Sequence, residues 1–226
     1  MITVKKFYTK LKPEGLAIRK KKESTKKEIS YLKKYLNKKQ RILDLACGYG
    51  RLAIPLAKQG YNIKGVDITP IMIKKAKESA KKEKLKIEFK IGDMKNLPYK
   101  DNSFDAIICM WSVFIELTNK KEQLKSIKEI LRVLSKNGFV LIDMPCPLNF
   151  RKSEKIIKYG KVGDEFIYNK KTRIVKSKIA GMEARPSYMQ DKKTLSELMR
   201  KSKIKQYKIF VNKFGGRSRL FLQFWK

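Results

Sequence analysis

The sequence contains no histidine and only three cysteines, Cys47, Cys109 and Cys146. The cysteines do not have the spacing of a metal site, and their odd number argues against a disulfide framework. No apolar run reaches the length of about 18 residues that a membrane-spanning helix needs. The first residues also lack the apolar core of a signal peptide. We therefore expect a cytoplasmic protein without a metal ion and without a membrane partner.

Acidic residues are scarce, with 21 Asp and Glu against 56 Lys and Arg, so that the formal net charge is +35. A charge of this size and sign is typical of proteins that bind RNA or another polyanion. The alternative is a lysine-rich composition whose side chains cover solvated helix faces. The lysines are scattered along the whole chain, which favours the alternative, but RNA stays a candidate partner.

The most informative stretch runs from residue 41 to residue 56. The apolar run of residues 42–46 predicts a buried parallel strand. Gly48 and Gly50 then allow a tight turn, after which a helix begins. Asp44 lies inside the strand, where a carboxylate is costly to bury unless it meets a cation or hydrogen-bond donors.

An acidic residue followed by a Gly-x-Gly turn resembles the first motif of the class I S-adenosylmethionine-dependent methyltransferases. The ammonium and sulfonium of that cofactor suit Asp44. The family usually has glycine where this chain has Ala46, and we expect no loss of binding because alanine is small. The two glycines also fit a dinucleotide fingerprint, so an NAD-dependent oxidoreductase is an alternative that Asp44 disfavours.

Further acids follow in the order that the resemblance requires. Asp67 ends the next predicted strand and is placed to accept hydrogen bonds from both ribose hydroxyls of an adenosine. Asp93 and Met94 resemble the third motif, in which the acid accepts from the adenine amino group and the next side chain packs on the ring. The resemblance implies S-adenosylmethionine as cofactor and S-adenosylhomocysteine as product. The implied cofactor-binding residues are Asp44, Ala46, Gly48, Gly50, Asp67, Ile68, Asp93, Met94 and Met110.

Catalytic residues are sought in the segment after the fourth strand, where the family places residues that face the transferred methyl group. Trp111 either lines a substrate pocket or packs against the helix behind it. Because the chain has no histidine, a general base would have to be Glu116, Asp143 or Tyr188. The run Cys109-Met-Trp-Ser112 replaces the Asn/Asp-Pro-Pro-aromatic motif of enzymes that methylate base amines, which disfavours that substrate. Cys109 and Cys146 are interpreted as buried apolar side chains.

The predicted fold is α/β, with a doubly wound, mostly parallel seven-stranded sheet, an antiparallel last strand and a small antiparallel insertion near the C-terminal part. The predicted main-sheet strands are 42–46, 61–67, 85–91, 103–110, 139–144, 204–211 and 218–225. Residues 165–168 and 172–179 are the predicted strands of the insertion. Thr25 and Glu28 match a capping box at the start of a helix, and Asn137-Gly138 is expected to end the helix before the fifth strand.

The length of 226 residues suits a single domain, residues 1–226. Its predicted parts are an N-terminal helical segment or lid (1–40), a cofactor-binding core (41–145), a substrate-side insertion (146–190) and a last helix with a closing hairpin (191–226). The predicted function is methyl transfer by in-line displacement to an unidentified acceptor, a small molecule rather than a base amine. The alternatives are an RNA- or ribosome-associated methyltransferase that uses the basic surface, the oxidoreductase, and a non-catalytic cofactor-binding protein.

Overall fold

The computed structural model describes residues 3–19, 22–147, 157–159, 164–169, 171–184, 186–214 and 217–226. The α-helices are α1 (Val4–Ala17), α2 (Lys22–Leu32), α3 (Ala53–Lys58), α4 (Pro70–Lys82), α5 (Lys120–Val133) and α6 (Lys192–Lys201), with a 3-10 helix at Val113–Glu116. The strands of the main sheet are β1 (Ile42–Leu45), β2 (Ile63–Asp67), β3 (Phe89–Ile91), β4 (Phe104–Cys109), β5 (Leu134–Pro145), β11 (Tyr207–Phe214) and β12 (Arg217–Trp225). The strands of a second sheet are β6 (Ile157–Tyr159), β7 (Asp164–Asn169), β8 (Ile174–Ile179), β9 (Met182–Glu183) and β10 (Ser187–Tyr188).

The main sheet has the strand order β11-β12-β5-β4-β1-β2-β3 among the described residues. Strands β1 to β5 pair in parallel, whereas β12 runs antiparallel to both β5 and β11. Parallel strands joined through helices and closed by an antiparallel hairpin confirm the predicted fold class.

Two apolar cores cover the two faces of this sheet, because successive side chains of a strand point to opposite faces. On one face, Leu43 and Ile107 belong to a buried cluster that includes side chains of α5 and α6. On the other face, Ile42 and Ile108 pack with side chains of α2, α3 and α4. All four residues of β1 are buried, which explains why its sequence is apolar throughout apart from Asp44.

The predicted capping box at Thr25 is wrong. The helix begins earlier, at Lys22, so that both Thr25 and Glu28 lie within it. Glu28 is only 2% exposed, and its carboxylate forms ion pairs with Arg51 and Arg219. The carboxylate of Glu28 therefore links α2 to the main sheet through ion pairs and does not cap the helix.

Several strand boundaries differ from the sequence prediction: β2 begins at Ile63 and not at residue 61, and β11 spans Tyr207–Phe214 where 204–211 was expected. The third strand is restricted to Phe89–Ile91, although the alternating pattern begins four residues earlier. Strand β5 begins at Leu134, directly after α5, so that Asn137 lies inside the strand with a left-handed φ of 64°. Asn137-Gly138 therefore forms an irregularity near the start of β5 and does not end the helix.

The second sheet contains the predicted insertion strands as β7 and β8, which pair antiparallel. Tyr168, Val175 and Met189 form its small buried core. Parts of the predicted insertion 146–190, including 148–156 and 160–163, lie outside the described residues. Asp191 caps α6 by accepting a hydrogen bond from the Thr194 backbone N–H. Among the described residues, none of the helices is both long and apolar enough to cross a membrane.

Candidate functional site

A cavity of about 1340 Å³ lies at the carboxyl ends of β1, β2 and β4. The segments that follow these strands line one side of the cavity. Helices α1 and α2 and strands of the second sheet line the other side, with apolar side chains that include Phe7, Leu11, Phe166 and Val175. A doubly wound sheet binds its ligands at this edge, so the cavity is the candidate active site.

The two glycines of the Gly-x-Gly turn have different roles. Gly48 has a φ of 56°, and a Cβ at this position would meet no atom within 4 Å. Gly50 does not line the cavity; a Cβ there would lie 2.9 Å from Cδ1 of Ile54 and 3.3 Å from Cζ of Phe89. Gly48 therefore leaves room for a ligand beside the backbone, whereas Gly50 permits close packing of the turn on the structure behind it.

Asp44 is the most unusual group in the cavity. Its carboxylate is 3% exposed, and Oδ2 has no hydrogen-bond partner among the described residues. Burial raises the pKa of Asp44 to about 7, although the charge of Arg51 acts in the opposite direction. A buried carboxylate oxygen without a partner is costly, so the site suits a ligand that brings a cation or a strong donor to Oδ2.

Asp67 ties the end of β2 to the glycine turn. One of its carboxylate oxygens accepts a hydrogen bond from Gly48 N at 3.0 Å, and the other accepts from Thr69 N at 2.8 Å. Burial raises the pKa of this carboxyl. Each oxygen of a carboxylate can accept more than one hydrogen bond, so Asp67 can still receive two hydroxyl donors from the cavity.

The remaining predicted cofactor residues lie around the same cavity. Ala46, Ile68, Asp93, Met94 and Met110 all line it. Asp93 follows β3, and its Oδ1 accepts a hydrogen bond from Lys95 N at 2.8 Å. Ala46 adopts a left-handed φ of 60°, which explains why glycine is the usual residue in the family at this position. The structure thus brings together every predicted cofactor residue except Gly50.

The predicted catalytic residues divide into two groups. Trp111 and Glu116 line the cavity; the Arg51 guanidinium lies 5.1 Å from the Trp111 ring centroid, and Glu116 accepts a hydrogen bond from the Tyr8 hydroxyl. Tyr188 does not line the cavity, although Ser187 and Met189 on either side of it do. Neighbouring residues of a strand alternate in direction, and Tyr188 interacts instead with Tyr168 and Arg173.

Asp143, the other predicted base, is completely buried. It forms an ion pair with Arg219 of β12 and accepts a hydrogen bond from Ser112 N at 3.1 Å. Burial lowers the pKa of Arg219 to about 10. Asp143 does not line the cavity, so its contacts assign it to holding β5, β12 and the segment after β4 together.

Sequence reasoning missed the ion pairs that close the cavity. Glu28 of α2 pairs with Arg51 at 2.6 Å and with Arg219 at 3.5 Å. Arg19, at the end of α1, forms a two-pronged ion pair with Asp164 of β7 at 2.7 Å, and both side chains are less than 10% exposed. Arg51 could have been noticed because it directly follows the glycine turn. The other partners are too distant in the chain for any local pattern to connect them.

The cysteines are buried, as expected, and burial raises the pKa of the Cys47 and Cys109 thiols. A thiol with a raised pKa is a poor nucleophile. Among the described residues, no cluster of histidine, cysteine or acidic side chains could hold a metal ion.

Residues 42–138 match the family model described as "Methyltransferase domain". The chain is 35% identical over 111 residues to the demethylmenaquinone methyltransferase of Deinococcus radiodurans. The aligned residues make up 48% of this chain and 44% of that protein. It therefore spans less than half of that relative's length. The crystal structure of the PH0226 protein from Pyrococcus horikoshii OT3 superposes with a TM-score of 0.70 at 25% identity and covers 92% of this chain and 93% of the other.

An S-adenosylmethionine-dependent methyltransferase from Clostridium acetobutylicum has the same fold, with a TM-score of 0.69 at 16% identity over 92% of this chain and 93% of the other. The matched residues contain the glycine turn and all three acids, Asp44, Asp67 and Asp93, of the cavity. The match is to methyltransferases, and it disfavours the dinucleotide-dependent oxidoreductase. Residues 42–138 thus resemble a methyltransferase domain, and the chain has the fold of the S-adenosylmethionine-dependent methyltransferases.

Proposed function

We propose that this protein transfers the methyl group of S-adenosylmethionine to a small-molecule acceptor bound in the same cavity. The observation that carries the proposal is Asp44, a residue that lines the cavity and whose buried Oδ2 has no hydrogen-bond partner among the described residues. The ammonium of S-adenosylmethionine would supply the charge that Asp44 needs. When bound, the cofactor supplies an electrophilic methyl group on a sulfonium sulfur.

The other cavity residues fit the rest of the cofactor. Asp67 would accept hydrogen bonds from the ribose hydroxyls, and Asp93 would accept from the adenine amino group. Ile68 and Met94 offer apolar surface for the adenine ring, while Gly48 leaves room for the ligand beside the turn. Met110 lies at the end of β4, on the route from the cofactor side to the acceptor side of the cavity.

A small acceptor is favoured because α1 and the second sheet line the cavity with several apolar side chains, among them Phe7, Leu11, Phe166 and Val175. In this proposal the segment 1–40 and the insertion 146–190 act together as the acceptor side, orienting the acceptor in line with the methyl group and excluding water. The name of the Deinococcus relative, a demethylmenaquinone methyltransferase, is consistent with a small apolar acceptor.

A second candidate, methylation of RNA or of a ribosomal component, is supported by the net charge of +35. The cavity does not favour it, because no base-stacking motif follows β4. A cytoplasmic location stays a prediction.

Calorimetry of the protein, freed of nucleic acid, with S-adenosylmethionine, S-adenosylhomocysteine and NAD tests the proposal. We expect the first two ligands to bind and NAD not to bind. Transfer of a labelled methyl group to small molecules and to RNA then separates the two candidate acceptors. Binding of NAD without binding of S-adenosylmethionine would overturn the proposed function.

A further inference from the structure

Arg51 follows the glycine turn directly and lines the cavity. Its Nη1 donates hydrogen bonds to Oε2 of Glu28 at 2.6 Å and to Oγ1 of Thr25 at 3.2 Å. The guanidinium also lies 5.1 Å from the ring centroid of Trp111, and the side chain is only 9% exposed. These contacts hold the group in one orientation, so a ligand that binds to it does not have to order a flexible side chain.

Most of the hydrogen-bonding capacity of Arg51 is unused. A guanidinium carries several N–H donors in a fixed fork, which matches the two oxygens of a carboxylate. The hydrogen bonds of Arg51 to described residues all come from Nη1, so Nε and Nη2 have no partner among these residues. The buried polar atoms that lack a partner do not include these two nitrogens, so both are accessible. The edge of the guanidinium formed by Nε and Nη2 is therefore open to an anion.

The open edge of Arg51 lies beside Asp44. The charge of Arg51 opposes the rise in the pKa of Asp44, and the Asp44 carboxyl also interacts with the backbone N–H of Ala53, two residues further along the chain. Oδ2 of Asp44 nevertheless has no hydrogen-bond partner among the described residues. The cavity thus offers a site for a cation next to a site for an anion. This arrangement suits the ammonium and carboxylate of an α-amino acid, because a single carbon joins those two groups.

Two other arginines line the cavity, but their nitrogens are occupied or enclosed. Nε and Nη2 of Arg19 bind the carboxylate of Asp164, and Nη1 is hydrogen-bonded to a backbone carbonyl. The two Nη atoms of Arg219 form ion pairs with Glu28 and Asp143, and its Nε is buried. Every accessible nitrogen of these two arginines therefore has a partner, in contrast to those of Arg51.

The lysines that line the cavity are also less suited to bind an anion there. Lys95 forms ion pairs with Asp93 and Glu122. Lys5 and Lys27 are exposed to solvent, which screens their charges. Acidic residues are at least as numerous as Lys and Arg among the described residues that line the cavity, so the lining as a whole does not attract anions. An anion in this cavity needs a specific partner, and Arg51 has the donors for it.

We infer that Arg51 binds the α-carboxylate of S-adenosylmethionine while Asp44 binds its ammonium, an inference that rests on the proposed function. Nε and Nη2 can donate to both carboxylate oxygens, as the same two nitrogens of Arg19 do to Asp164. Nη1 of Arg51 keeps its hydrogen bonds to Glu28 and Thr25. With both charged groups of the amino acid held, the short chain that leads to the sulfur has few orientations left.

Three nucleosides separate the two charged contacts by calorimetry at about pH 8, where Asp44, with a pKa of about 7, is ionised. S-adenosylhomocysteine carries both charged groups, its decarboxylated analogue keeps only the ammonium, and methylthioadenosine lacks both. We expect the native protein to bind S-adenosylhomocysteine about tenfold more tightly than the decarboxylated analogue. A cavity without a carboxylate site would bind the analogue at least as tightly, because acids line it.

The Arg51→Met variant removes the inferred anion contact. It should weaken S-adenosylhomocysteine about tenfold and the decarboxylated analogue little, so that the preference between them disappears. Methylthioadenosine should bind this variant as it binds the native protein, which shows that the nucleoside part of the cavity is intact. Arg41→Met is the matched control and should keep the preference, since Arg41 pairs with Asp105 outside the cavity.

Two further variants separate the fork from the charge and the carboxylate from the ammonium. Arg51→Lys keeps a positive charge without the fork, so the preference for S-adenosylhomocysteine should fall to about threefold. Asp44→Asn should give the opposite pattern to Arg51→Met: both amine-containing ligands bind more weakly, and the preference for S-adenosylhomocysteine persists.

The failures are distinguishable. If S-adenosylhomocysteine does not bind the native protein, the proposed function itself is wrong. If it binds, but no more tightly than its decarboxylated analogue, only the inferred carboxylate site is overturned, and this result needs no variant. A preference that survives unchanged in Arg51→Met would show that another group holds the carboxylate.

Discussion

The two sides of the cavity are built in different ways. The cofactor side consists of short segments that directly follow β1, β2, β3 and β4, so a rigid parallel sheet fixes its residues. The acceptor side is assembled from α1, α2, the 3-10 helix and the second sheet, which come from widely separated parts of the chain. The first side is therefore fixed by local sequence and strand order, whereas the second depends on long-range contacts.

The two sides also differ in whether their buried charges have partners within the protein. On the cofactor side Asp44 is buried with an oxygen that has no partner among the described residues. Where the N-terminal helices join the rest of the protein, buried charges are matched within the protein, as in Glu28 with Arg51 and Arg19 with Asp164. An unmatched buried charge lowers stability and favours a ligand, whereas a matched pair holds elements together once both partners are present. The cofactor side therefore has a buried charge that a ligand can match, whereas the ion pairs of the acceptor side hold its helices and strands together.

The largest effect on stability is expected from Glu28→Ala. The change leaves the buried guanidinium groups of Arg51 and Arg219 without their shared carboxylate, and loss of one partner of a buried ion pair costs about 3–5 kcal/mol. Denaturant unfolding measures the loss. The matched control is Glu83→Ala, which breaks an exposed pair with Lys58 and should cost less than about 1 kcal/mol. Equal losses would mean that the ion pairs of α2 do not hold the acceptor side closed.

The second-largest effect is expected on cofactor affinity, when the unmatched charge of Asp44 is removed. Asp44→Asn should weaken S-adenosylmethionine binding by about 30-fold, because a charge-assisted bond to the ammonium is lost. The free energy of unfolding of the ligand-free variant should not fall, since a costly buried carboxylate is removed. Asp105→Asn is the control: Asp105 pairs with Arg41 outside the cavity, and cofactor affinity should not change. If Asp44→Asn lowered the free energy of unfolding but kept its affinity for S-adenosylmethionine, Asp44 would stabilise the fold and would not contact the cofactor.

The pH dependence of binding follows from the same carboxyl. Burial raises the pKa of Asp44 from 3.8 to about 7, with Arg51 opposing the shift and Asp67 and Glu28 adding to it. The ligand-free folded protein therefore holds a proton that the unfolded chain has lost, so this group lowers stability as pH rises toward 7. Because the ammonium of the cofactor must displace that proton, affinity should rise between about pH 5 and pH 7, by at most tenfold per unit, and then level off.

Calorimetric titrations across this pH range check the expectation, and the Asp44→Asn variant should show a flat profile. An affinity that falls as pH rises in the native protein would contradict the proposed contact between Asp44 and the ammonium.

The smallest effect is expected at Ala46. A left-handed φ costs a residue other than glycine about 1 kcal/mol, and the greater freedom of glycine in the unfolded chain offsets roughly half of this. Ala46→Gly should therefore stabilise the protein by about 0.5 kcal/mol, with little change in cofactor affinity. Ala57→Gly, the same substitution within α3, should instead destabilise by about 1 kcal/mol. Thermal unfolding distinguishes the two, and a destabilising Ala46→Gly would show that the backbone is not strained there.

The difference between the two sides explains what could be predicted from sequence. The common location of Asp44, Gly48 and Asp67 could be predicted because these residues lie at or next to the ends of neighbouring parallel strands, which meet at one edge of the sheet. Tyr8 was expected only as part of a possible lid, and Arg219 was not identified. Their partners Glu116 and Asp143 are far away in the chain, and no periodic pattern encodes such a pairing. Glu28 was assigned to a capping box, since a buried ion-pair partner and a helix-capping acid look the same in sequence.

A crystal structure of the complex with S-adenosylhomocysteine tests the account most directly, because it locates both sides of the cavity at once. The account predicts the ammonium within hydrogen-bond distance of Asp44 Oδ2, the ribose hydroxyls on Asp67, and the sulfur directed toward the side of the cavity that holds Glu116. A ligand bound elsewhere, or one whose ammonium does not contact Asp44, would contradict it.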